Sequence, residues 1–202
     1  MPKILLAIVF SMLFSTTTFA DSQENQADHE ALRKLKTDVI SAVNNRDYAT
    51  MQKVMHQPFM ATMITQDNFT DFGKLKNFFE SHFTRDVRRM KKISIAAEAD
   101  DLSQIYQGTF ALTKGSTKEH YELTDGRIFD MDGRWTAVSI KDNGQWKLLA
   151  IHTGTNFLDN PVLNAIEKST IWFAVGGAGG GLIVGFLVGW FFRKNRAGKS
   201  GA

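Results

Sequence analysis

Residues Ile171 to Phe192 form a run of 22 without a charged side chain, and no other stretch constrains the fate of the chain so strongly. As an α-helix rising ~1.5 Å per residue it reaches about 33 Å, enough to cover the hydrocarbon core of a bilayer. Trp172 and Trp190 stand near its two ends, where amphipathic rings favour the headgroup level, and Arg193, Lys194, Arg196 and Lys199 follow at once. This order predicts one transmembrane helix over 171–192 and a basic tail, 193–202, held in the cytoplasm.

The other end complements it. Met1 to Ala20 has a cation at Lys3, an apolar stretch from Ile4 to Phe14, and small residues at Thr18 and Ala20, the pattern of a secretory signal peptide cut before Asp21. An uncut membrane helix would need a longer apolar run than the ~10 residues before the Ser/Thr cluster. With the start exported and the tail retained, 21–170 faces the periplasm or the cell exterior in a single-pass protein of the cell (inner) membrane.

The charge fits that address. The net charge is +3, yet 21–170 holds 19 basic against all 21 acidic residues, so the basic excess sits in the flanks as a topology signal. Nucleic acid is therefore not an expected partner. No cysteine is present, which excludes disulfides, thiol nucleophiles and cysteine-ligated zinc. His56, His82 and His152 are too scattered for a metal site, and no metal or cofactor is expected.

Within the apolar run, Gly177, Gly181, Gly185 and Gly189 recur every fourth residue, with Gly176 and Gly180 beside them. A glycine stripe lets backbones approach closely in lipid, where apolar side chains gain nothing by association, and predicts a self-associating helix. The competing readings are the ordinary abundance of glycine in membrane helices and a processed C-terminal sorting signal, for which the apolar segment after Gly181 is too short.

Between the ends, 21–30 is polar and predicts a short flexible lead, with Asp28 as the N-cap of a helix carrying Leu32, Leu35, Val39, Ala42 and Val43 on one face. Asp47 caps a second helix with Tyr48, Met51, Val54 and Met55 that stops before Pro58. A strand over 59–65 follows, then a third helix from Asp71 with Leu75, Phe78, Phe79, His82 and Phe83. From Arg88 the period becomes two, with strands expected over 92–99, 104–113, 120–129, 133–141 and 145–157. The turn-rich pieces between them are Lys114-Gly115-Ser116, Asp125-Gly126, Asp132-Gly133 and Asp142-Asn143-Gly144. Helices followed by an antiparallel meander form an α+β domain over 31–157, joined by a linker, 158–170, to the membrane helix.

The stretch Gly133 to Gly154 resembles the last hairpin of the NTF2-like superfamily, which includes SnoaL-like cyclases and ketosteroid isomerase. The matching positions are Arg134, Thr136, Val138, Trp146, Leu148, Leu149 and His152, while Gly154 replaces the serine that usually follows. The resemblance implies a cone in which a curved antiparallel sheet wraps the first helix, leaving a pocket at the open end and an outer face that often pairs two subunits. Alternation along the last strand puts Trp146, Leu148, Ala150 and His152 on one face and Leu149, Ile151 and Thr153 on the other. Candidate pocket residues are His152, Trp146, His82, Phe78 and Tyr48, with a core or pocket-wall histidine as the alternative role for His152.

An isomerase of this kind needs a carboxylate base and a tyrosine-containing oxyanion hole. The strand Phe59 to Ile64 holds no acid and the first helix no tyrosine. Asp67, Glu122, Asp130 and His152 remain as acid–base groups, against turn, solvent-facing or core roles. Met51, Met55, Met60 and Met63 suit either a ligand lining or ordinary packing. The cations Arg85, Arg88, Arg89, Lys91 and Lys92 either guard a strand edge or meet anionic lipid or an acidic partner. The expectation is a membrane-anchored module for binding a small apolar ligand or a protein partner. It would touch lipid through its helix and act as a homodimer or higher oligomer; an isomerase-, dehydratase- or cyclase-type enzyme is the alternative.

Overall fold

The computed structural model describes residues 17–197, in two compact units that divide between Asn156 and Phe157. The expected leader lies outside the described residues as far as residue 16, and the end of the basic tail, 198–202, lies outside them too.

The first unit opens with α1 (Thr17–Asn45), α2 (Tyr48–Val54) and β1 (Met55–Thr62). After β2 (Asn68–Phe69) and α3 (Phe72–Thr84) come β3 (Met90–Ala99), β4 (Gln104–Tyr106), β5 (Phe110–Leu123), β6 (Ile128–Asp142) and β7 (Gln145–Thr155). One sheet runs β2-β1-β7-β6-β5-β3, with β4 added to β5. All neighbours are antiparallel except β1 and β7. This is the expected α+β layout, with helices on one face of a curved sheet.

The lead expected over 21–30 is instead helical, continuous with α1, and Asp28 is a buried residue inside that helix rather than its cap. Its carboxylate is occupied by Trp146 and Lys141, so this turn is held by tertiary contacts. Leu32, Leu35 and Ala42 of α1 are buried, with Leu32 and Leu35 packed against Ala111 and Trp146. Further along α1, Asn44 pairs with both backbone groups of Ile95 at 2.7 and 2.9 Å, satisfying part of the β3 edge. Asp47 and Asp71 cap α2 and α3 as expected, accepting from Thr50 N at 3.0 Å and Lys74 N at 2.9 Å.

Two expected turns are absent. Lys114-Gly115-Ser116 lies inside β5, and Asp132-Gly133 lies inside β6. These glycines serve close packing. A Cβ at Gly115 would collide with the Glu98 carbonyl and stand 2.6 Å from the Trp135 ring, which lies over it. Pro58 falls within β1 where its register against β7 shifts, so the second helix ends earlier than expected and the strand starts at Met55. Of the four methionines, Met51 and Met55 are core, Met63 packs beside them, and Met60 is exposed.

The second unit is α4 (Pro161–Ala197), capped by Asn160, whose side chain accepts from Leu163 N at 3.0 Å. Residues expected as a linker, from Pro161 onward, belong to this helix. Pro161–Trp190 is long and apolar enough to cross a membrane.

Candidate functional site

The five expected pocket residues do not converge. Trp146 is buried in β7, its indole Nε1 donating to Asp28 Oδ1 at 2.9 Å. Tyr48 joins α2 to α3, its hydroxyl donating to Glu80 Oε1 at 2.5 Å. Burial first, and then Glu80, push that phenol above its ordinary value. Phe78 and His82 sit together on α3, ring centroids 4.6 Å apart, and His82 Nδ1 donates to the Phe78 carbonyl of its own helix at 2.8 Å. Phe78 also packs on Phe69 at 4.9 Å.

His152 is on the other side of the sheet from Trp146. The register between β6 and β7 shifts between Val138 and Ser139: Leu148 stands opposite Ser139, Ala150 opposite Val138 and Ile151 opposite buried Ala137. Leu149 is the additional residue, a β-bulge, and beyond it the alternation inverts. Trp146 and Leu148 therefore face α1 together with Ile151 and Thr153. His152 is exposed on the outer face, opposite Thr136 and in register with Thr62 of β1. The expected sharing of one face by Trp146 and His152 fails at this bulge.

The inner face carries a different polar group. Thr117, Glu119 and Tyr121 alternate along β5 on the side that faces the helices, in register with Ala97, Ile95 and Ile93 of β3 and with Gly133, Met131 and Phe129 of β6. Glu119 is only 7% exposed. Thr117 donates to its Oε1 at 2.7 Å, Tyr121 donates to its Oε2, and no cation pairs with it among the described residues. Gly133 makes the room: a Cβ there would land on Thr117 Oγ1 and 2.9 Å from Glu119 Oε1. Burial, with Glu119 beside it, pushes the Tyr121 phenol well above its ordinary value, so the hydroxyl remains a donor. Ile93, Ile95, Phe129 and Met131 flank the carboxyl and are only half-buried.

Chemically, this is one acidic oxygen pair held by two hydroxyls on an apolar wall. Each oxygen keeps a lone pair for a further donor. Sequence reasoning missed the cluster because Lys118, His120 and Glu122 alternate with it and are just as polar. The signal that would have found it is the parity shared with Ala111 and Gly115, the small residues that lie under α1 and Trp135.

The acids singled out earlier have local partners. Asp67 accepts from Thr65 in a turn at 2.6 Å. Asp130 binds His120 Nδ1 at 2.6 Å on the outer face, and Glu122 pairs with Lys91 at 3.1 Å. Among the described residues no group of three or more His, Asp or Glu is placed to hold a metal. In α4, a Cβ at Gly177, Gly181, Gly185 or Gly189 would meet nothing within 4 Å, so that stripe is an open face.

No family model matches the sequence, and no curated protein does. Solved structures do match. A hexachlorocyclohexane dehydrochlorinase from Novosphingobium barchaimii is 11% identical with a TM-score of 0.58, over 67% of this chain and 91% of that one. A Novosphingobium aromaticivorans protein ascribed to the scytalone dehydratases is 14% identical with a TM-score of 0.59, over 67% of this chain and 89% of that one. A Streptomyces avermitilis protein ascribed to the NTF2-like family as a dehydratase is 14% identical with a TM-score of 0.55, over 65% of this chain and 98% of that one. At such identities the likeness is one of fold, and the fold is the NTF2-like one that the last hairpin resembles.

Proposed function

We propose that this chain is a membrane-tethered, exported module whose curved sheet binds a small, mostly apolar molecule bearing a hydrogen-bond donor. The observation that carries the reading is the buried Glu119 carboxyl, held by Thr117 and Tyr121 and flanked by half-buried Ile93, Ile95, Phe129 and Met131. A carboxyl kept out of water without a cation is costly, and a ligand donor is the partner that would repay it. The helix over 171–192 supplies the anchor, and the basic tail stays cytoplasmic. A reporter active only in the cytoplasm should work after Ala202 and fail near Asp159.

A dehydratase- or isomerase-type reaction is the second reading, favoured by the placing of an acid beside a tyrosine. Against it, the Tyr121 hydroxyl is spent on Glu119 itself, so the pair offers no independent donor for a developing oxyanion. The binding reading is tested by extracting small molecules from full-length protein purified in mild detergent, for the wild type and for Glu119→Gln. A defined organic molecule should leave the wild type and be depleted at least tenfold in the variant. Equal recovery from both proteins, or none from the wild type, would overturn the role of Glu119.

A further inference from the structure

The run Arg85 to Lys92 takes no part in the candidate site, and the topology decides where it lies. β7 runs from Gln145, opposite Asp142, to Thr155, opposite Gly133, so the chain leaves the sheet toward the β5–β6 hairpin tip. Residues 128–132 of β6 continue past that exit, about 17 Å of strand at ~3.4 Å per residue. β3 begins at the same end, with Met90 opposite Leu123, and Thr124 N donates to the Arg89 carbonyl at 2.9 Å, joining the α3–β3 loop to the tip.

This end is basic and partly greasy. Arg85, Arg88, Arg89, Lys91, Lys92 and Arg127 are all exposed, against the carboxylates of Asp86, Glu122 and Asp125. Glu122 is taken by Lys91 at 3.1 Å and Asp125 by Arg127 at 2.7 Å. Arg88 and Arg89 have no carboxylate partner among the described residues. Val87 is 73% exposed and Ile128 57% exposed, one in each of the two joined segments. A net-acidic domain thus concentrates unpaired arginines and two bare aliphatic side chains at the end where its chain departs for an apolar helix. Asn160 and α4 begin only a few residues after Thr155, so the connection to the apolar helix leaves the domain from this end.

We propose that the end formed by the α3–β3 loop and the β5–β6 tip is a docking surface for an anionic phospholipid bilayer, with Arg88 and Arg89 on the headgroups and Val87 and Ile128 at the acyl boundary. Cations adjoining an anchor gain from the negative surface potential, and two exposed aliphatic residues add apolar burial at short range. The proposal rests on the anchor reading and is independent of the ligand in the cone.

The absence of cysteine makes the test direct. Val87→Cys in full-length protein is labelled with an environment-sensitive fluorophore, reconstituted into nanodiscs of phosphatidylcholine alone or mixed with phosphatidylglycerol, and quenched with acrylamide. Gln145→Cys, exposed at the opposite end of the sheet, is the control. The Val87 label should be at least twofold less quenched in anionic than in neutral discs, and high salt should remove the difference, since screening shortens the reach of these charges. Arg88→Glu with Arg89→Glu should abolish it without moving the thermal midpoint, while the Gln145 label is unaffected. A Val87 label equally quenched in both discs overturns the proposal, as does protection that ignores lipid charge and salt. Failure of the chain to enter discs overturns the anchor reading and the docking surface with it; entry with a fully quenched label overturns the docking surface alone.

Discussion

Asp28 Oδ1 accepts the indole proton of Trp146 at 2.9 Å across 118 residues of sequence, and Lys141 reaches the same carboxylate at 2.8 Å. One side chain therefore ties the first helix to both strands of the last hairpin. Burial disfavours the charged carboxyl, but the hydrogen bonds from Lys141 and Trp146 outweigh it and hold the group below its ordinary value.

Removing this anchor should be costly. Asp28→Ala strands the indole N–H and the Lys141 ammonium, and urea unfolding at neutral pH should show a loss of roughly 2–4 kcal/mol. Because the folded carboxyl titrates below its unfolded value, its contribution is complete above about pH 4 and disappears as the pH falls through the folded value. Asp28→Asn should accordingly flatten the acid limb of the stability curve. A variant as stable and as acid-sensitive as the wild type would show the contact to be idle.

Gly133→Ala tests the inner cluster from the backbone side. Its methyl would displace Thr117 and Glu119, so the domain should lose about 1–3 kcal/mol and the copurifying molecule together. Loss of stability with full retention of the molecule would separate Glu119 from binding.

His152→Ala should do almost nothing. The ring is exposed on the outer face, and surface changes of this kind stay within about 0.5 kcal/mol. Both the melting curve and the copurifying molecule should be unchanged; loss of the molecule would place the site on the other side of the sheet.

His120 titrates upward chiefly because Asp130 accepts its proton, with Glu122 adding to the effect. Its folded value lies above the ordinary 6.5, so the pair's contribution is full below that value and is lost as the pH rises through the folded one. A ring-proton NMR titration should place the midpoint above 6.5, and Asp130→Asn should move it downward. An unshifted wild-type midpoint would contradict the contact.

Assembly should use two surfaces. Gly181→Leu with Gly185→Leu keeps the helix apolar but blocks close backbone approach, and should reduce oligomer in mild detergent. Phe110 and Leu112, 42% and 39% exposed on the outer face, should weaken pairing of the folded domains when both are changed to Glu. Assembly equal to that of the wild type in both double variants would show that neither surface carries it.

What could be read from the chain alone was whatever depends on neighbours in sequence. The apolar run ending in Arg193, the caps at Asp47 and Asp71, the faces of the helices and the change of period at Arg88 express local hydrogen bonding and local periodicity. The α+β order follows from them. Tertiary structure decided the rest, because those choices depend on what lies opposite. Gly115 and Gly133 have the composition of turns, and only the Trp135 ring and the Glu119 carboxyl crossing above them make them strand residues. A break expected at Lys114-Gly115-Ser116, with the next strand starting at His120, kept Thr117, Glu119 and Tyr121 from being read as one face, and the intervening residues are equally polar. The bulge at Leu149 adds one residue to one strand and turns His152 from the interior to the surface. That is a property of how two strands pair, and period-two counting along one strand does not contain it.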